Sequence, residues 1–436
     1  MTSPFESGPF AALASNVKSM EQSATLAINA RSRRMQSEGR EVFRLGLGQS
    51  PFPVPECMRR ALCAHAHEKD YLAVEGLPAL RQAVVAYVRR TEGLRYDPDH
   101  VLIGPGTKEL MFIVQLVYQG ELVIPAPSWV SYAPQANLAG RDVCWLPTDL
   151  DADLGVTPEG LAAVCRQAPD EPRLLILNYP GNPTGLCYDA ARLEAIAAVA
   201  RRYRVLVLSD EIYGATHFED GHVSIARWYP EGTIIANGLS KWAGAGGWRL
   251  GAFVFPENLA WLHAAMAAVA SETFTSVSAP VQYAAVEGFR DSPAMRRYQA
   301  DQRRILAALS GYGRERLMAC GAQVVEAKGG FYLFPGFESL RDELAARGIE
   351  DGATLCERLL EDTGVAVLPG DCFGRPSREL SCRMALVDFD GGPALQALES
   401  GELEVDQVFL ETYCPRVVEA VERMARWFKR GSAVSE

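Results

Sequence analysis

Between Gly238 and Gly251 the chain reads G-L-S-K-W-A-G-A-G-G-W-R-L-G, with one lysine, Lys241, and Arg249 eight positions later. Apolar runs on either side, Thr233-Ile234-Ile235-Ala236 and Gly251-Ala252-Phe253-Val254-Phe255, read as buried strands. A lysine in such a connection lies away from any helix face where it could sit solvated. Loops at strand ends are where α/β proteins place their chemistry. An amine desolvated there has a lowered pKa and can condense with a carbonyl as an imine. The bland alternative, two surface charges on a mobile loop, is weighed by the loops that follow the other strands.

Each of those loops carries something a plain connection does not need. Val101-Leu102-Ile103 is followed by Gly104-Pro105-Gly106-Thr107-Lys108 opening a helix, where backbone N–H groups and a close-approaching glycine suit a phosphate. Leu122-Val123-Ile124 runs into Pro125-Ala126-Pro127-Ser128-Trp129, whose indole can stack on a flat ring. Leu174–Leu177 leads to N-Y-P-G-N-P-T-G at 178–185, in which two prolines and two glycines fix an irregular backbone and present Asn182 as a donor. Val205–Leu208 leads to Ser209-Asp210-Glu211-Ile212-Tyr213, and a carboxylate so close to four apolar residues is buried and needs a cationic partner. A flat heteroaromatic cofactor with a phosphate, a carbonyl and a basic ring nitrogen uses all of these groups. Asp210 keeps the nitrogen protonated, and Asn182 and Tyr213 hold a ring hydroxyl. Trp129 covers a face, and Lys241 takes the carbonyl. Arg249 and the Gly106–Lys108 turn neutralise the phosphate. Pyridoxal 5'-phosphate has that set of groups.

The elements that position them follow from the same pattern. Short continuous apolar strands alternate with helical segments at 108–118 and 189–203, which predicts an α/β fold with a mostly parallel central sheet flanked by helices. Helical segments at 56–68 and 77–91 precede it, and a long helix over 295–320 leaves it. Strands at 330–334, 365–368 and 382–387, closed by a helix at 417–429, predict a smaller α+β domain. The expected division is a large domain over 46–310 and a small one made of 1–45 with 311–436. Residues up to about Ser15 are expected to form a mobile arm, followed by a helix over 23–39.

Composition bounds the alternatives. A chain of 436 residues with scattered charges summing to −11 is not suited to nucleic acid. Its ten cysteines have no C-x-x-C or zinc spacing, so they read as reduced core residues. The N-terminus has no basic-then-apolar leader, and the longest apolar run, 259–270, is too short to span a bilayer. A cytoplasmic, reducing location is expected, with no membrane partner. His65 and His67, on a polar helix without further ligands, read as solvated, and no metal is expected. The pairs Arg201-Arg202 and Arg303-Arg304 read as surface charges, and Gly46-x-Gly48 lacks the rest of a dinucleotide fingerprint.

The motifs N-P-T-G at 182–185, D-E-x-Y at 210–213, S-K at 240–241 and G-W-R-L-G at 247–251 together resemble the class I/II aminotransferases of fold type I, the aspartate aminotransferase superfamily. Y-L-A-V-E-G-L at 71–77, P-S-W-V-S-Y at 127–132, G-G-F-Y-L-F at 329–334 and V-A-V-L-P-G-D-C-F-G at 365–374 extend the resemblance from about 23 to 387. It implies a ping-pong amino transfer between an L-amino acid and a 2-oxo acid such as 2-oxoglutarate or pyruvate. Lys241 is then also the proton shuttle at the substrate Cα, and Thr107, Lys108 and Ser240 join Arg249 at the phosphate. Gly48 and Arg383 match the positions that hold the substrate α-carboxylate, alongside Trp129 and Asn182. Tyr71 matches a tyrosine that serves the phosphate of the other subunit, which implies a homodimer with shared sites. Gly238 stands where many relatives place a phosphate-binding serine, Arg383-Met384-Ala385 replaces the usual R-[I/L]-S, and acidic sequence between 388 and 413 exceeds the common pattern. The same fold also serves lyases, synthases and oxidases acting on amino acids, and regulatory proteins; with every catalytic position filled and no DNA-binding module read ahead of the domain, a regulatory role is not expected. Thr273, Thr275, Ser276 and Ser278 are candidates for the side-chain pocket, and no clear second arginine demands a dicarboxylate.

Overall fold

The computed structural model describes residues 24–432 apart from 400 and 402, together with 14, 16–18 and 20. The expected N-terminal arm, Ala14 aside, lies outside the described residues. Seven strands form the main sheet, in the spatial order Val101–Gly104, Gly251–Val254, Thr233–Gly238, Leu206–Asp210, Arg173–Asn178, Glu121–Ala126 and Val143–Pro147. Gly251–Val254 runs antiparallel to both neighbours, and all other pairings are parallel except those two. The fold is thus the expected α/β one, with the last strand, Val143–Pro147, an addition. That edge strand is half-exposed, although Val143-Cys144-Trp145-Leu146 is itself an apolar run.

The strands read as continuous apolar runs because helices cover both faces. Leu175, Leu177 and Val207 point to one side and Leu174, Ile176, Leu206 and Leu208 to the other, as a two-residue period dictates. On the first side lies the helix Ala190–Arg202, which starts where Asp189 accepts the Arg192 N–H at 2.7 Å. It buries Leu193, Ile196, Ala197 and Ala200, a spacing of three and four that makes one stripe. On the second side Leu110, Ile113 and Val114 of the helix Thr107–Val117 pack with Leu262 and Met266 of Ala260–Thr273. Each fully buried side chain of this size contributes about 1.5–3 kcal/mol.

A further apolar core joins Phe43 and Leu45 to Leu306 and Leu309 of the long helix Pro293–Met318, and to Leu333, Leu355, Met384, Val421 and Phe428. Its strands are shorter than the sequence suggests: Tyr332–Leu333 and Cys382–Ala385 pair antiparallel, and Leu368–Pro369 pairs with the latter. The acidic segment has a physical account. Asp390 and Asp406 cap the helices Gly391–Ala397 and Gln407–Tyr413, accepting the N–H groups of Gly392 at 3.0 Å and Phe409 at 2.9 Å. Asp388 is buried, accepting the Arg44 N–H at 3.0 Å and pairing with Arg416 at 2.9 Å. Phe409 and Leu410 then enter the core. Arg303 departs from its expected surface role: its side chain is 13% exposed and pairs with Asp220 at 2.9 Å. His65 stacks on Tyr283, with ring centroids 4.4 Å apart, whereas His67 is exposed.

Where the antiparallel strand enters the sheet, Gly251 stands opposite both Gly104 and Gly238. A Cβ on Gly251 would lie 2.3 Å from the Thr107 nitrogen and 2.6 Å from the Gly106 carbonyl carbon. Backbone cannot swing aside as a side chain can, so Gly251→Ala is expected to displace the Gly106–Thr107 turn. Urea unfolding of the cofactor-free protein should register a loss of roughly 1–3 kcal/mol. An unchanged midpoint would contradict this close approach.

Candidate active site

The carboxyl ends of the parallel strands, at Gly104, Ala126, Asn178, Asp210 and Gly238, lie along one edge of the sheet, where open α/β sheets bind their ligands. There a cavity of about 390 Å³ is lined by Gly48, Thr107, Lys108, Trp129, Asn182, Asp210, Tyr213, Ser240, Lys241 and Arg249. These ten were singled out from the sequence. Gly106 adjoins them: a Cβ there would meet the Arg249 guanidinium at 2.4 Å.

Lys241 follows the strand Thr233–Gly238, and its Nζ donates to the Gly48 carbonyl at 2.7 Å. The ammonium lies 5.4 Å from the ring centre of Tyr213 and 5.7 Å from that of Phe331. Arg249 adopts the left-handed conformation at φ 52°, a strained choice for a side chain with a Cβ. Its guanidinium is tied to the carbonyls of Gly246 at 2.9 Å and Pro105 at 3.2 Å. Gly106, at φ 90°, starts the helix Thr107–Val117, and no side chain caps it. Free N–H groups and Arg249 therefore face the same point. Burial, and then the charge of Arg249, pull the Lys108 ammonium below its ordinary pKa. Its Nζ lies 5.4 Å from the Trp129 ring centre.

Asp210 ends its strand with only 3% of its surface exposed. Burial lifts its carboxyl to about 6, against the hydrogen bond from Tyr132 and the charge of Lys241. Tyr132 Oη donates to Asp210 Oδ2 at 2.6 Å. Tyr213 and Tyr332 share a hydroxyl contact at 2.8 Å, and burial followed by Tyr332 raises the Tyr213 phenol well above its usual range. The Asn182 N–H donates to Asn178 Oδ1 at 2.7 Å, while Asn182 Oδ1 accepts from Arg383 Nη1 at 3.1 Å. With its oxygen engaged, the Asn182 amide has its nitrogen left to donate.

Apart from Gly106, which adjoins it, several predicted residues are not on the cavity wall. Arg383 is 1% exposed behind Asn182, between the rings of Tyr332 and Phe373, and also donates to the Gly46 carbonyl. Tyr71 is 89% exposed and outside the cavity. Thr273, Thr275, Ser276 and Ser278 also do not line it. Gln49, Asn178, Ile212, Gly246 and Gly247 do, without having been singled out. Tyr132 and Tyr332 lay inside quoted motifs, but nothing in their spacing tells that their hydroxyls meet Asp210 and Tyr213. Glu211 takes a different path from Asp210, accepting from Ser209 at 2.7 Å and facing His222 at 3.1 Å.

The residues fit pyridoxal phosphate. Among the described residues Lys108, Lys241 and Arg249 form no ion pair, so the cavity holds cations awaiting an anion. Asp210 is a buried carboxylate whose hydrogen-bond donors, Tyr132 and the Ile212 N–H, are both neutral. It suits a protonated ring nitrogen.

The chain matches the family model described as aminotransferase class I and II over residues 40–386. It is 32% identical to an aspartate aminotransferase of a Bacillus species (strain YM-2) over 381 residues, 84% of this chain and 93% of that protein. It is 30% identical to an asparagine–oxo-acid transaminase of Streptococcus mutans over 383 residues, 84% of this chain and 92% of that one. Among solved structures, the aspartate aminotransferase from Thermus thermophilus with maleate superposes with a TM-score of 0.81 at 28% identity, covering 95% of this chain and 99% of the other.

A carboxyl whose folded pKa is raised costs stability once it ionises. The cost is absent below the range of an unfolded aspartate, near 4, and complete above the folded value of about 6. Asp210→Asn removes it. In urea unfolding without cofactor, the variant should therefore exceed the wild type by up to roughly 2–3 kcal/mol at pH 8. The difference should disappear near pH 4, and one that does not change with pH would show that Asp210 carries no raised pKa.

Proposed function

The chain belongs to the class I and II aminotransferases, enzymes that depend on pyridoxal phosphate, and on that premise we propose that it moves an amino group between an L-amino acid and a 2-oxo acid, 2-oxoglutarate or pyruvate, by a ping-pong cycle at this cavity. The observation that carries the reading is the meeting of Lys241, Asp210 and two further unpaired cations in one cavity at the sheet's edge. When bound, pyridoxal phosphate supplies the electron sink for charge developing at the substrate Cα and stores the amino group between half-reactions.

The chain's own residues do the rest. The Lys241 amine anchors the carbonyl and moves the proton at Cα. Asp210 holds the proton on the ring nitrogen, where low dielectric makes its charge count most. Asn182 and Tyr213 serve the ring hydroxyl, and Trp129 covers one face. Arg249, Ser240, Thr107, Lys108 and the N–H groups after Gly106 hold the phosphate. Gly48 and Arg383 take the substrate carboxylate. Arg383 supports this by its state: a buried guanidinium that, among the described residues, has an unpartnered Nε and no carboxylate paired with it calls for an anion. One domain over 46–310 and another of 1–45 with 311–436 belong to the same proposal, supported by distinct apolar cores, with Leu306 and Leu309 of the long helix packing into the second. A reducing cytoplasm does too, supported by ten free thiols.

The test is a panel of single amino acids, with aspartate and asparagine first because relatives are named for them, each with 2-oxoglutarate or pyruvate. Amino transfer to the acceptor is expected, and borohydride reduction of the loaded protein should attach the cofactor to Lys241. Arg383→Leu should lower kcat/KM by about thirty- to a thousand-fold, the worth of a charge-assisted bidentate pair. Ammonia, carbon dioxide or peroxide released without acceptor would overturn amino transfer in favour of a lyase, synthase or oxidase.

The proposal extends to a homodimer with shared sites, supported by Tyr71, an aromatic side chain almost wholly in solvent. Mixing inactive Lys241→Ala with weakened Tyr71→Phe subunits should raise activity. One site of each hybrid then has both its own Lys241 and its neighbour's Tyr71. No gain on mixing, or a fully active monomer, would remove the shared site.

A further inference from the structure

The interaction that sets Asp210 apart from an ordinary buried carboxylate comes from a tyrosine 78 residues away in sequence, three positions after Trp129. Tyr132 opens the short helix Tyr132–Leu138 after the strand Glu121–Ala126, and its side chain is 1% exposed among the apolar residues under the sheet. Its hydroxyl donates to Asp210 Oδ2 at 2.6 Å, a length typical of a charge-assisted bond. Asp210 Oδ1 has only a long contact from the Ile212 N–H at 3.4 Å and is the oxygen left for a cationic partner. The same tyrosine ring meets Trp129 edge to face, with centroids 5.3 Å apart and planes at 85°.

We propose that Tyr132 is a positioning residue for the cofactor ring, fixing the orientation and ionised state of Asp210 through its hydroxyl while its ring packs against Trp129. The proposal rests on the reading of the cavity as the cofactor's. Physically it follows from where the donor sits. Burial drives the Asp210 carboxyl toward the neutral form, and a neutral acid cannot keep a ring nitrogen protonated. A neutral hydroxyl corrects this without supplying a competing cation, as a lysine or arginine in the same place would do. Burial and the nearby Asp210 charge hold the Tyr132 phenol well above its ordinary pKa, so it remains a donor across the working range. The other charged or titratable groups acting on Asp210 are Lys241, Glu211 and Tyr213. Of these Lys241 favours its ionised form and Glu211 opposes it. Tyr132 is thereby the contact that can be removed without touching substrate or the reacting amine.

The experiment compares Tyr132→Phe holoenzyme with wild type by three readouts. The pH at which the bound cofactor's visible band titrates, and the acid limb of the kcat profile, should both move; the acid limb should rise by about one pH unit. Cofactor affinity, from fluorescence quenching on titration into cofactor-free protein, should weaken about tenfold, the value of one charge-assisted hydrogen bond. KM for the amino donor should stay within about twofold, because Tyr132 does not line the cavity wall. Tyr132→Phe that titrates and binds cofactor like wild type, while Asp210→Asn shifts the band, overturns the role of Tyr132 and leaves the cavity assignment standing. If Asp210→Asn changes neither band nor affinity, the cavity assignment itself falls. Should Tyr132→Phe fail to fold, replacing Tyr132 by its 3-fluoro analogue keeps the ring and makes the phenol a stronger donor. The acid limb should then move to lower pH, and an unmoved limb overturns the proposal.

Discussion

A carboxylate at the end of a central strand, with almost no access to water, is the constraint to which the rest of the site answers. Asp210 sits between Asn178 and Ala236 in the parallel sheet, so its backbone is held by neighbours on both sides. It cannot move out to solvent without breaking the ladder. Desolvation of such a group costs several kcal/mol unless a proton, a donor or a cation compensates it. Tyr132 provides the donor, Lys241 a nearby charge, and the open volume in front leaves a place for the cation. Glu211, the next residue, lies on the opposite side of the chain in a separate network with Ser209, Ser224 and His222. That network anchors the turn on which Asp210 and Tyr213 both depend.

Around the anion end of the cavity the constraint is steric rather than electrostatic. Gly104, Gly238 and Gly251 form a rung without side chains, and this lets the Gly106–Thr107 turn lie directly against the sheet. Gly238 has a role in that rung: a Cβ there would lie 2.8 Å from the Leu250 carbonyl oxygen. Packing against the neighbouring strand thus accounts for a glycine at this position. Arg249 in its left-handed conformation is held at both ends by backbone carbonyls, so its guanidinium is ordered before any ligand arrives.

The second apolar core reaches the site through two contacts. Arg383, on the strand Cys382–Ala385, bonds Asn182 of the large sheet's loop, and Tyr332 bonds Tyr213. Gly48, from the N-terminal segment, is pressed so closely by the Tyr332 hydroxyl that no Cβ fits, and its carbonyl receives Lys241. A shift of this core relative to the sheet would therefore move the groups around Lys241, Asn182 and Tyr213 together.

The alternation of short apolar runs with amphipathic helices was enough to read the sheet's class, because strands buried on both faces must be apolar throughout. The loops were legible for a related reason: a lysine, a buried aspartate and paired proline–glycine turns all cost stability that a plain connection has no cause to spend. That is why Lys241, Asp210, Asn182 and Arg249 stood out from one sequence. The Gly106–Lys108 turn stood out with them, and resemblance to a known family added Ser240, Gly48, Arg383 and Tyr71; only tertiary structure separated the first two, on the cavity wall, from a buried arginine and an exposed tyrosine. Strand order and the antiparallel insertion at Gly251–Val254 were not in the pattern, since periodicity records burial and not neighbours. Tyr132 shows the same limit most sharply. It lies 78 residues from Asp210, and a bond across such a span exists only because the helix starting at Tyr132 packs under the sheet whose central strand ends at the carboxylate.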